Sequence, residues 1–194
     1  MGNRGAEGYT LSSLALLDYR TGEIQQAQQV CQQALEIAKE TNDRFLEGLA
    51  GTLLGHTLVE MGRPSEALLA YQQAATAYGE LGRNNYRMEA LAGIASVHLK
   101  TGQDQAALEQ VEAILRHLET GSLEGTDEPL RVYLVSYQVL AANQDPRAPE
   151  IIRRAHQVLM EQSDQIANPA GRQAFLGISL HCAIIQAAAQ AGQT

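Results

Sequence analysis

The 194-residue sequence contains no tryptophan and only two cysteines, and aromatic residues make up just 5% of it. Cys31 and Cys182 lie far apart and neither has a second cysteine nearby, so no disulfide framework or cysteine metal motif is predicted. No apolar run reaches the ~18 residues that a membrane span requires. Residues 1–17 also do not have the pattern of a signal peptide. These absences predict a cytoplasmic protein with no membrane partner.

Basic residues are scarce as well. The chain has 14 Lys and Arg against 22 Asp and Glu, which gives a formal net charge of −8. This charge is spread evenly over the two halves of the chain, so neither half is a basic arm or an acidic tail. Proteins that bind a phosphate backbone need clustered Lys and Arg. We therefore expect no nucleic-acid partner.

Motifs of catalysis are also missing. The sequence has no phosphate-binding loop, no dinucleotide fingerprint, no HExxH zinc motif and no GxSxG nucleophile elbow. The histidines have no paired carboxylate or cysteine at ligand spacing; they are His56, His98, His117, His156 and His181. We predict no catalytic residue, no metal site and no cofactor.

The chain does contain an internal repeat with a step of 40 residues, and of 41 for the last copy. A small residue opens one segment of each copy, and a glycine or asparagine precedes it by five positions. These residues are Ala27, Ala67, Ala107 and Ala148, preceded by Gly22, Gly62, Gly102 and Asn143. A second small position recurs upstream at Ala15, Gly55, Ala95 and Ser136. Repeats of this length indicate stacked supersecondary units.

Each unit is predicted to be a pair of α-helices. Apolar residues recur at helical spacing on both sides of the Gly or Asn, which supplies the left-handed turn that ends a helix. The small residues would let the paired helices approach closely, and a bulky one would cost about 1–3 kcal/mol. The predicted units cover about 6–41, 43–81, 85–119 and 127–167, and one further helix covers about 170–190. This gives nine helices, no strand and one domain over 1–194.

The pattern resembles the tetratricopeptide repeat (TPR) over essentially the whole chain. The resemblance rests on the Leu-Gly type pairs, the turn glycines, the alanines that open the second helices, and Tyr71 with its substitutes. Its period exceeds the common ~34 residues because the second helices are predicted to be longer. The 40-residue copies and segment 168–176 are further similar to the arrays that end bacterial STAND-type signalling ATPases and maltose-activator-like regulators. The resemblance implies an all-α, right-handed α-solenoid with four repeats and a C-terminal capping helix.

In such an array the first helices line a concave groove. The face turned away from the second helices is apolar and tyrosine-rich, which suits a protein or peptide partner. The predicted groove residues are Tyr9, Ser12, Leu16, Tyr19, Leu49, Thr52, His56, Val59, Glu89, Ala92, Ser96, Leu99, Tyr133 and Tyr137, with Leu130 and Leu140. Two alternatives stay open: the stripe is packed core, with the last helix folded into the groove, or it holds a small effector. The arginines of the fourth unit have acidic neighbours and are predicted to form a solvated mixed-charge face; they are Arg131, Arg147, Arg153 and Arg154.

These features predict a non-catalytic binding module, the sensor part of a larger cytoplasmic signal-transduction protein. The alternative is a stand-alone adaptor that joins two proteins. The array is predicted to lack a polar capping helix before its first repeat, so we also expect self-association through the N-terminal repeat.

Overall fold

The computed structural model describes residues 3–191, and these form ten α-helices and no strand. The helices are α1 (Arg4–Thr21), α2 (Ile24–Thr41), α3 (Arg44–Glu60), α4 (Pro64–Glu80), α5 (Asn84–Lys100), α6 (Asp104–Thr120), α7 (Pro129–Ala142), α8 (Ala148–Asp164), α9 (Pro169–Leu176) and α10 (Ser179–Ala191). The first eight pack as four successive pairs, and each pair packs on the next. The predicted solenoid of four helix-turn-helix units is therefore confirmed. Residues 1–2 and 192–194 of the predicted domain lie outside the described residues.

The turns between paired helices follow the prediction in three of the four units. Gly22, Gly62 and Gly102 each have a positive φ, between +71° and +86°, where a side chain would be strained. In the fourth unit the prediction was wrong by one residue, because Asn143 has a φ of −89° and Gln144 takes the left-handed conformation. The Asn143 amide instead donates to the Val139 carbonyl oxygen at the end of α7.

The C-terminal helix predicted at 170–190 is wrong as a single helix, since α9 and α10 meet at an angle of 76°. The break is stabilised by polar groups of α10 that satisfy carbonyls at the end of α9. His181 Nδ1 lies 2.7 Å from the Phe175 oxygen, and the Cys182 thiol donates to the Leu176 oxygen. Helix α10 packs on α8 and α7 and buries Ile184 there, so it continues the stack.

No single helix within residues 3–191 is both long and apolar enough to cross a membrane. The bent pair α9 and α10 reaches that length and composition only when the two helices are taken together.

Small residues at the recurring positions bring the helices together, as predicted. Ala15, Ala27, Ala67, Ala95 and Ala107 are fully buried, and Ser136, Ala148 and Gly55 are buried too. The tightest of these contacts surrounds Tyr71 of α4, whose ring lies between Gly55 of α3 and Gly93 of α5. A methyl group at either glycine would come within 2.4 Å of Tyr71 Cε1. One large ring thus joins the second repeat to the third.

Candidate binding groove

A cavity of about 210 Å³ opens between the first helices of the array, and we call it the groove cavity. Its wall is formed by α1, α3 and α5, together with Tyr78 of α4 and the end of the loop that precedes α7. The lining residues are Tyr9, Ser12, Ser13, Leu16, Phe45, Leu49, Thr52, Leu53, His56, Tyr78, Tyr86, Glu89, Asp127 and Glu128. Seven of the predicted groove residues are in this set: Tyr9, Ser12, Leu16, Leu49, Thr52, His56 and Glu89. No residue of α9 or α10 enters the groove cavity.

The other predicted groove residues lie elsewhere. A smaller recess beside His56 is lined by Tyr19, Val59, Ala92 and Ser96, among others. Leu99 and Tyr137 are half-buried against the core and line neither space. Tyr133 is 4% exposed in the core and packs under the Arg154 guanidinium, and Leu130 and Leu140 are buried in the same core. In the first three repeats the predicted stripe therefore lines the groove cavity or the recess, except for Leu99, whereas in the fourth repeat it belongs to the core.

Several lining residues were missed by the sequence analysis. Tyr78 belongs to a second helix, and Asp127 and Glu128 end a loop, whereas the prediction considered first helices only. Phe45 and Tyr86 lie on first helices but outside the chosen helical spacing. A signal was nevertheless present in the sequence, because four of its nine Tyr and Phe residues converge on this one cavity.

These four rings form a continuous aromatic cluster. Phe45 meets Tyr86 edge-on with centroids 4.9 Å apart, and it meets Tyr78 at 5.9 Å. Tyr78 and Tyr86 stack at 5.5 Å, and Tyr9 lies 6.5 Å from Phe45. These distances are typical of favourable aromatic pairs. The Tyr9 hydroxyl donates to Asp43, whose carboxylate also caps α3 by accepting from the Phe45 N–H.

Glu89 is a buried carboxyl group in the wall of the groove cavity, with 4% of its surface exposed. Its Oε1 accepts a hydrogen bond from the backbone N–H of Glu128. The pKa of Glu89 is raised to about 7, mainly by burial and also by the charges of Asp127 and Glu128, against the opposing effect of that hydrogen bond. The carboxyl group therefore changes its charge near neutral pH.

Two residues that line the groove cavity each have a buried hydroxyl group with no hydrogen-bond partner within residues 3–191. They are Tyr78, which is fully buried, and Ser12. Thr52 lies close enough to lower the pKa of Tyr78 slightly, although burial raises it overall. The Thr52 hydroxyl does not meet the geometry of a hydrogen bond to Tyr78, and it donates to the Gly48 oxygen instead. Buried polar groups are nearly always paired, so both hydroxyls keep a hydrogen-bonding capacity that no group of the described residues uses.

Side chains of the first and fourth repeats meet across the groove, in what we call the cross-groove clasp. Arg20 Nη2 lies 3.1 Å from Glu128 Oε1, and Arg131 Nε lies 2.9 Å from Glu128 Oε2. Arg131 also donates to the Tyr19 hydroxyl at 3.3 Å and lies over its ring. The backbones of α1 and α7 do not approach each other. The side chains of Arg20 and Arg131 therefore join the two ends of the groove, and Arg20 also donates to the Asp127 backbone oxygen.

The clasp corrects the prediction for Arg131, which is half-buried between Tyr19 and Glu128 rather than part of a solvated face. The prediction describes Arg147 and Arg153 well, since both make exposed ion pairs on α8 or just before it. Periodicity alone could not separate these arginines, because the difference depends on the curvature that brings α1 opposite α7.

His56 lies between the groove cavity and the smaller recess and is buried. Its Nδ1 shares a hydrogen bond of 2.7 Å with the Tyr71 hydroxyl, and the Tyr19 ring lies 6.0 Å away. Burial lowers the pKa of His56 well below 6.5, and the nearby Arg131 charge lowers it too, so the ring is neutral. Within residues 3–191 no group of three His, Cys, Asp or Glu side chains is placed to hold a metal ion.

Reversing the charge of Arg20 should open the clasp. In Arg20→Glu two carboxylates would face each other, so we expect a longer and broader distance distribution between spin labels on α1 and α7. The labels can be placed at Leu17→Cys and Gln138→Cys, both exposed, in a Cys182→Ser background, and measured by pulsed electron resonance. Arg153→Glu, an exposed charge reversal on α8, serves as the control. Unchanged distances in Arg20→Glu would mean that the clasp does not set the width of the groove.

Together these features define a helical-repeat protein whose first helices enclose a concave, partly acidic groove. Residues 7–80, the first two repeats, match the model of the family described as Tetratricopeptide repeat. The whole chain is similar to the solved structure of a candidate kinesin light chain from Podosopora anserina with nearly identical TPR-like repeats, at 18% identity and a TM-score of 0.62 over 92% of that chain. A variant of that protein aligns over 88% of its chain at 17% identity and a TM-score of 0.64. These likenesses establish the fold as an all-α, right-handed solenoid of TPR type. No curated protein matches the sequence.

Proposed function

We propose that the chain is a non-catalytic module that binds a peptide or protein segment in the groove cavity and along its margins. The observation that carries this proposal is the groove cavity itself, with its aromatic cluster and the two unpartnered hydroxyls of Tyr78 and Ser12. Solenoids present such concave surfaces to extended partners. A small effector is the second candidate, favoured by the size of the cavity, about 210 Å³.

A polar residue in the groove wall should weaken peptide binding. Leu49 lines the groove cavity and is half-buried. For peptides first selected for binding to the native full chain, Leu49→Gln should reduce the affinity by about tenfold, or 1.4 kcal/mol. Fluorescence anisotropy with labelled peptides measures this. The matched control is Leu69→Gln, an exposed leucine of α4 outside the groove. Equal loss of affinity in both variants, or in neither, would argue against the groove as the binding surface.

We further propose that the array is the sensor part of a larger cytoplasmic signalling protein of the STAND type. The 40-residue step and the segment at 168–176, which begins with Asn168 capping α9, support this proposal. The complete gene tests it: a phosphate-binding loop upstream of the array is expected. A gene that encodes the array without such a domain would support the adaptor instead.

The first helix also supports self-association through the N-terminal repeat. Leu14 and Leu17 of α1 are 43% and 58% exposed, and a solenoid repeat normally buries such side chains against a neighbour. Leu14→Glu with Leu17→Glu should therefore reduce the weight-average mass seen in sedimentation equilibrium at high concentration. Leu69→Glu, which charges an equally exposed leucine on α4, should leave it unchanged. A single mass for the native chain at all concentrations would contradict the proposal.

A further inference from the structure

The groove cavity has more acidic residues in its wall than the protein holds in ion pairs. Three acidic residues line it, and no Lys or Arg does. Glu128 is paired with Arg20 and Arg131, whereas neither Glu89 nor Asp127 forms an ion pair within residues 3–191. Glu89 lies in the buried wall and Asp127 at the solvent-facing edge. An unpaired buried carboxylate is costly unless a positive group comes to it.

Another part of the wall is the aromatic cluster of Tyr9, Phe45, Tyr78 and Tyr86. The faces of such rings attract organic cations that lie within about 6 Å of a ring centroid. The cluster already holds one guanidinium outside the cavity, since the Arg83 Cζ lies 5.9 Å from the Phe45 centroid. Arg83 does not line the groove cavity. Rings and carboxylates thus surround the same space.

The unpartnered hydroxyls add the third element of the site. Tyr78 and Ser12 both line the groove cavity, and their hydroxyl oxygens are buried and have no hydrogen-bond partner among residues 3–191. A hydroxyl oxygen accepts hydrogen bonds, and ammonium and guanidinium groups are donors only. Each feature of the wall, whether carboxylate, ring or hydroxyl oxygen, therefore suits a ligand that is positive and donates hydrogen bonds.

We propose that the groove cavity binds the ammonium or guanidinium end of an alkyl chain, as in the side chains of lysine and arginine. The inference rests on the proposed function, because it assumes that a ligand enters the groove. The aliphatic stem would lie along Leu16 and Leu49, and the charged end would reach Glu89 and the Tyr78 hydroxyl. An anionic side chain would meet the unpaired carboxylates and is excluded by charge.

The test compares two probes that differ only in charge. Nα-acetyl-lysine methylamide carries the ammonium group, and Nα-acetyl-norleucine methylamide has the same stem without it. We titrate each into the full chain and follow backbone amide shifts by NMR. The lysine probe should shift the residues that line the groove cavity and bind at least about tenfold more tightly than the norleucine probe. Equal affinities, or no saturable shift with the lysine probe, would overturn the inference.

Matched variants test which residues bind the ammonium group of the lysine probe. Glu89→Gln keeps the shape and the acceptor oxygen, and Tyr78→Phe keeps the ring, so both should weaken the lysine probe by about fivefold or more without affecting the norleucine probe. Glu124→Gln removes an exposed loop charge near Asp127 and is the control. Full affinity for the lysine probe in both Glu89→Gln and Tyr78→Phe would place its binding elsewhere and contradict the proposal.

Peptides separate this inference from the proposed function. A glycine peptide with one central lysine should bind at least as tightly as the capped amino acid if the ligand is a segment of a partner protein. Binding of the capped lysine but not of the peptide would support the cation site and contradict peptide binding in the groove. Binding in the groove cavity of peptides that contain no basic residue would support the proposed function and overturn the cation site.

Discussion

Gly93→Ala should destabilise the array by about 1–3 kcal/mol, although alanine is the better helix former. The new methyl group would lie 2.4 Å from Cε1 of Tyr71, a ring that is 2% exposed and held through its hydroxyl by His56. The ring has little room to move away, because Gly55 of α3 is so close to it that a methyl group there would also lie 2.4 Å from Tyr71 Cε1. Urea unfolding followed by circular dichroism measures the change in the free energy of unfolding.

A second glycine gives the matched control. Gly79 is also helical, but it is exposed and the nearest atom to a Cβ there belongs to Arg87 at 3.8 Å. Gly79→Ala should therefore stabilise the chain by up to about 1 kcal/mol. In a Tyr71→Ala background the cost of Gly93→Ala should disappear, since the ring that it strikes is gone. If Gly93→Ala and Gly79→Ala have the same effect in the native background, the ring does not hold the two repeats together.

Tyr71 also illustrates how far periodicity can predict packing. Gly55 was predicted as a small position because Ala15, Ala95 and Ser136 recur in step with it. Gly93 was not, because its counterpart one repeat earlier is Leu53. The structure explains the difference: the counterparts of Tyr71 are Cys31 and Val111, which are smaller and need no second glycine. A repeat therefore predicts the small positions that its copies share. It does not predict Gly93, which makes room for a large ring that only one copy has.

The groove was predictable to the same extent. The first-helix stripe supplies half of the lining of the groove cavity, since its spacing follows from helical geometry. Asp127 and Glu128 come from a loop that has no counterpart in the other repeats, so the repeat pattern does not predict them. The clasp between Arg20 and Glu128 depends on rotations summed over three repeat junctions, which a sequence does not encode at any one position.

Glu89→Gln should make the chain more stable at alkaline pH. The pKa of Glu89 is about 7 in the folded chain against 4.5 for an ordinary glutamate, so folding favours the protonated form. No penalty exists below pH 4.5; it grows as the pH rises from 4.5 to 7 and is complete above pH 7. The shift corresponds to about 3 kcal/mol, at 1.36 kcal/mol per pKa unit. Glutamine keeps an acceptor for the Glu128 N–H and has no charge to bury.

Urea unfolding of both proteins at about pH 5 and pH 8 checks this, since the two curves should separate far more at the higher pH. Tyr78, Asp127 and Glu128 lie near Glu89 in both proteins, and the pKa of His56 is lowered by burial in both, so their own contributions largely cancel in the difference. Glu124→Gln changes an exposed residue, so its free energy of unfolding should differ from that of the native chain by the same amount at both pH values. If Glu89→Gln is instead less stable at pH 8, the carboxylate serves the fold, and the cation site loses its main support. A gain in stability together with a loss of lysine binding would mean that this buried charge is kept for its ligand, as stability and activity commonly oppose each other in binding sites.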